Sequence, residues 1–130
     1  MPNLSVLLSA TLSVTDTTLS PSATIVTRNL NNPTLAATVS FYDPFFQAGA
    51  APTTVNLPAA TVWVVYVKNL DAAANLTVTF TPTGGAAQTA ILVPGGIFLY
   101  FQPTEGAGGI TALSLTSSAG TINTEVFVAK

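Results

Sequence analysis

ITALSLTSSAGTINTEVFV, residues 110–128, decides the fold class. Leu113 and Leu115 alternate with Ser114 and Thr116. Past Ser117-Ser118-Ala119-Gly120, Ile122, Thr124, Val126 and Val128 alternate with Thr121, Asn123, Glu125 and Phe127. In an extended chain, side chains two apart share one face of a sheet. Period-two alternation on either side of a small-residue turn therefore predicts two β-strands, each with one face toward a core.

The same pattern recurs upstream. Leu76-Thr77-Val78-Thr79-Phe80 and Ala37-Thr38-Val39-Ser40-Phe41 alternate, and each soon meets a proline, Pro82 or Pro44. Thr24-Ile25-Val26-Thr27-Arg28-Asn29-Leu30 resembles Val64-Val65-Tyr66-Val67-Lys68-Asn69-Leu70. Each reads as a strand ending in a basic residue and a turn-forming Asn. Thr54-Val55-Asn56-Leu57-Pro58 before Val62, and Thr89 to Val93 before Pro94-Gly95-Gly96, read as strand and proline turn. These matches suggest either a near-duplication or similar hairpins arising twice. At the start of the chain, Leu4, Val6, Leu8, Ala10, Leu12 and Val14 alternate with mostly hydroxyl residues. That run is long for one strand, so it is two strands or an arm that pairs with a neighbour. Nowhere is there a helical stripe. Nine or ten strands at this spacing predict an all-β, antiparallel two-sheet sandwich, jelly-roll-like, as a single domain over residues 1–130 with residues 1–15 as N-terminal strand or arm.

Two segments, Val62 to Val67 and Ile97 to Phe101, are apolar on both faces. Such strands are covered on both sides. Trp63 and Tyr100 are accordingly expected on outer sheet faces that meet another subunit, or under loops of the same chain.

Composition removes most chemistry. The chain has 130 residues, no His and no Cys, and only Asp16, Arg28, Asp43, Lys68, Asp71, Glu105, Glu125 and Lys130 are charged. The charged fraction is 6%, against about 25% in ordinary domains. Without His there is no ready general base for a Ser or Thr nucleophile. The five acids are scattered, whereas glycoside hydrolysis needs a tuned pair. Structural zinc lacks ligands, and the acids have no calcium-loop spacing. No catalytic, cofactor or metal residues are therefore expected. Three basic residues give little affinity for phosphates, which argues against nucleic acid. The longest apolar run is cut by Pro94-Gly95-Gly96 and is short for a membrane helix. No basic residue precedes Leu4 to Ala10, which predicts synthesis in a cytoplasm without a signal peptide.

What fills the surface is threonine, 21 residues against 9 serines. A surface with few ions packs against neighbours at a small desolvation cost, which points to assembly. The one unusual stretch is Phe41-Tyr42-Asp43-Pro44-Phe45-Phe46-Gln47. Four aromatics around a proline turn predict a plug for the sandwich, a subunit anchor, or a platform for sugars.

Lys68-Asn69-Leu70, Leu76 to Phe80, Val93-Pro94-Gly95-Gly96 and Ile110 to Leu115 together resemble small β-sandwich virion proteins of tailed bacteriophages, among them capsid-associated, tail, neck and fibre components. The resemblance covers about residues 60–130. It implies a non-enzymatic structural protein in the virion, a homo-oligomer (commonly a trimer) bound to other virion proteins, with no catalytic residues to carry over. The interface candidates are Leu4, Val6 and Leu8 as an arm, Tyr42, Phe45 and Phe46 as an anchor, and Trp63 and Tyr100 on sheet faces. A fibre-tip module that binds glycan or a host surface through Tyr42, Phe45 and Phe46 is the second reading.

Overall fold

The computed structural model describes residues 4–6, 9–16, 23–31, 35–37, 40–57, 61–101 and 108–129, with residues up to 40 described by backbone alone. Among these residues there is no helix. The strands are β1 (Leu4–Val6), β2 (Ser9–Asp16), β3 (Ala23–Asn31), β4 (Leu35–Ala37), β5 (Ser40–Ala48), β6 (Thr53–Thr54), β7 (Val64–Asn69), β8 (Leu76–Pro82), β9 (Gln88–Leu92), β10 (Ile97–Phe101), β11 (Ile110–Ser117) and β12 (Ile122–Ala129).

Contacts divide the chain into two compact units, Ser5–Ala36 and Met1–Leu4 with Ala37–Lys130. In the smaller unit β2 and β3 form an antiparallel pair, from Ser9 opposite Asn31 to Asp16 opposite Ala23. The N-terminal run is thus two strands, β1 and β2. β1 pairs with β4.

The larger unit is a sandwich of two four-stranded antiparallel sheets. The first has the order β10-β7-β12-β5 and the second β6-β11-β8-β9. The pairing follows one rule. The first strand of the sandwich pairs with the last (β5 with β12), the second with the seventh (β6 with β11), the third with the sixth (β7 with β10) and the middle two with each other (β8 with β9). One long antiparallel ribbon of chain is folded over on itself, and β7–β12 and β8–β11 pairings then join its layers. This is an eight-stranded jelly roll.

The core lies between the sheets. Val55, Val62, Val65, Val67, Leu76, Val78, Ile110, Leu113, Leu115, Val126 and Val128 are all buried there. Each is worth about 1.5–3 kcal/mol of transfer free energy, and β-branched valine suits the pleated surface. The Phe80 and Phe98 rings, 5.0 Å apart, join the two sheets.

Asn69 ties the layers together. Its backbone N–H donates to Gly96 O at 3.0 Å, and its buried amide Nδ2 donates to Ala74 O at 2.8 Å and Leu92 O at 3.1 Å. Its Oδ1 accepts from the Asp71 N–H at 3.0 Å. The side chain of the residue read as a turn former thus satisfies three backbone groups around the end of the sandwich.

Three expectations change. The near-duplication is one of sequence only, because Thr24–Leu30 lies in the separate β2–β3 pair and Val64–Leu70 is central in the sandwich. Ile97–Phe101 is an edge strand, with Phe98 turned inward and Ile97 and Leu99 exposed outward. The aromatic stretch 41–47 is part of β5, with no turn in it. Pro44 is accommodated because β5 is an edge strand and a bulge interrupts its register with β12 between Thr124 and Val126. The Asp43 carboxylate accepts the Phe45 N–H at 2.9 Å, which fixes the bulge.

Candidate binding face

The two outer faces of the sandwich differ in chemistry. On the second sheet, Thr54, Ser114, Thr79 and Thr89 lie in one register row, and Thr116 and Thr77 in the next. On the first sheet, Tyr42 of β5 stands opposite Phe127 of β12, and Phe127 opposite Tyr66 of β7. The next row sets Glu125 opposite Lys68.

Alternation produces this face. Val65 and Val67 turn inward, so Tyr66 and Lys68 turn outward; Val126 and Val128 turn inward, so Glu125 and Phe127 turn outward. The two rows then meet at one carboxylate. The Tyr42 hydroxyl donates to Glu125 Oε1 at 3.0 Å, and the Tyr66 hydroxyl donates to Oε2 at 3.1 Å. Three strands thereby hold one acid. The Tyr42 hydroxyl is held above the usual tyrosine range, chiefly because ionisation would lose its hydrogen bond to Glu125. Tyr66 is raised first by burial and then by the same carboxylate. Both phenols therefore remain donors across the neutral range.

Of the interface candidates, the structure brings Tyr42 to this face, 56% exposed, and sets Phe45 on the β5 bulge at 67% exposed. Phe46 leaves the group, because beyond the bulge it turns inward and packs on the core. Two further placements are corrected. Trp63 is only 8% exposed. It sits at the corner where the chain passes from a bridge with β11 (Val62 to Ile110) into β7, and its backbone N–H donates to Ala129 O at 3.0 Å. Gly109 covers that corner at φ +126°, and a Cβ there would come 2.8 Å from the Trp63 ring. Tyr100 also faces inward and packs against the core; its hydroxyl accepts the Gly109 N–H at 3.2 Å. Leu4 and Val6 lie on β1, and Leu8 lies outside the described residues.

Tyr66, Lys68, Glu125 and Phe127 were not singled out from sequence. Their phase opposite the buried valines was visible, but the lateral order β5-β12-β7 that gathers them was not. Among the described residues no three His, Cys, Asp or Glu side chains group in a way that could hold a metal ion. No family model matches the chain, and neither a curated protein nor a solved structure matches it.

Proposed function

We propose that this protein is a non-enzymatic structural subunit that assembles with copies of itself, and with other virion proteins, through the β9–β10 side of its sandwich. One observation carries the reading. β10 ends one sheet, β9 ends the other, and the Val93–Gly96 turn joins them, so both edges, unpaired among the described residues, lie on one side. Ile91, Val93, Ile97 and Leu99 are exposed there. No charged residue occurs between Asp71 and Glu105. Natural edge strands are normally guarded against pairing by charge, proline or bulges. β5, at the opposite edge of the first sheet, has all three in Asp43, Pro44 and its bulge. β10 has none. An unguarded edge on a sparsely charged surface is suited to a permanent partner.

The virion setting is supported by the sequence resemblance over residues 60–130, which also favours a trimer. The test is light scattering on the purified protein and on the double variant Ile97→Lys/Leu99→Lys. The wild type forms a defined oligomer and the variant is a monomer with the same far-ultraviolet β spectrum. A wild type that stays monomeric at every concentration, or a variant that still assembles, contradicts the reading.

A further inference from the structure

We propose that the outer face of the β5–β12–β7 strands is a binding platform for a neutral oligosaccharide. This goes beyond the assembly reading and lies on the same outer sheet face as the exposed β10 residues, since Leu99 stands opposite Tyr66 and Ile97 opposite Lys68 at its border.

The face has the two chemistries that a sugar needs. A pyranose presents an apolar C–H surface ringed by hydroxyls. Tyr42, Phe127 and Tyr66 form a cross-strand row on three adjacent strands, spanning about 10 Å. Aromatic rings supply broad, stiff apolar area at small conformational cost. Beside that row runs the polar pair Glu125 and Lys68, opposite one another in register.

Glu125 is arranged for a ligand as well as for the fold. A carboxylate has about four lone-pair sites. Tyr42 and Tyr66 occupy one on each oxygen. The other sites remain to accept sugar hydroxyls in charge-assisted hydrogen bonds. Each tyrosine oxygen, while donating to Glu125, also remains an acceptor. The two hydroxyls hold the carboxylate before any ligand arrives, so little ordering is left to binding.

Charge selects the class of ligand. In the two outward rows one carboxylate stands directly opposite one ammonium, so the rows carry no net charge to attract an ion of either sign. A neutral polyhydroxyl ligand satisfies both groups, as Glu125 accepts from a hydroxyl and Lys68 donates to one.

The test is titration of the assembled protein, followed by NMR, with maltotriose, cellotriose and triacetylchitotriose as neutral probes and 3′-sialyllactose as an anionic one. At least one neutral trisaccharide binds saturably, with Kd of about 1 mM or tighter. Tyr42→Ala and Glu125→Gln each weaken that binding at least tenfold. Tyr42→Phe, which keeps the ring, weakens it less than Tyr42→Ala. Thr116→Ala, on the opposite outer face, leaves it unchanged. Failure of all three neutral probes, binding of the sialylated probe alone, or full binding by Glu125→Gln overturns the proposal.

Discussion

At the scale of single residues, a few polar groups do what a larger charged inventory does elsewhere. Asp71 is the clearest. Its carboxylate accepts the Ala73 N–H at 2.8 Å and the Ala74 N–H at 2.6 Å, which fixes the turn leading from β7 to β8. These backbone bonds, Ala74 foremost, hold its pKa below the usual carboxylate range. A depressed folded-state pKa means that the stabilisation is complete above the ordinary aspartate value and is lost as pH falls through the lowered one. Thermal melting should therefore separate wild type from Asp71→Ala at neutral pH, with the variant lower, and the gap should close on acidification through that window. A gap that persists in strong acid would assign the effect to something other than the ionised carboxylate. Turn capping by Asp71 was legible from its position after Asn69-Leu70. The burial of Asn69 was not, because one of its amide partners, Leu92, comes from the opposite sheet, 23 positions away in the chain.

At the scale of elements, alternation was the reliable signal because it depends only on the pleat. β11 shows it, with Leu113 and Leu115 buried and Ser114 and Thr116 partly exposed. Two substitutions one residue apart should differ accordingly. Leu115→Ala leaves a cavity and costs about 2–5 kcal/mol, whereas Thr116→Ala stays within about 0.5 kcal/mol. Urea denaturation measures both, and equal losses would mean that β11 is not packed in this register. Lateral order was beyond such reading. Ile97–Phe101 is apolar throughout, which fits a central strand covered on two sides and equally an edge strand that meets a partner. Only its pairing with β7 alone distinguishes them. The same limit hid the face around Glu125, since Tyr42 and Tyr66 lie 83 and 59 positions from it in the chain.

At the scale of the whole sandwich, the two-sheet class followed from many short alternating strands without a helical stripe. The folded-ribbon topology did not. β11 and β12 adjoin in sequence yet lie in opposite sheets, and among β5 to β12 only β8 and β9 are consecutive strands paired with each other. This topology leaves two open sides of unequal character, one guarded by Asp43, Pro44 and a bulge, the other aliphatic and uncharged. The unguarded side is the proposed seat of assembly. Amide hydrogen exchange across a dilution series tests that claim most directly. The β10 amides pointing away from β7 are expected to exchange slowly in the concentrated protein and quickly on dilution, while β5 edge amides exchange alike at both extremes. Equal exchange at β10 at every concentration, or protection that gathers on β5 instead, would contradict it.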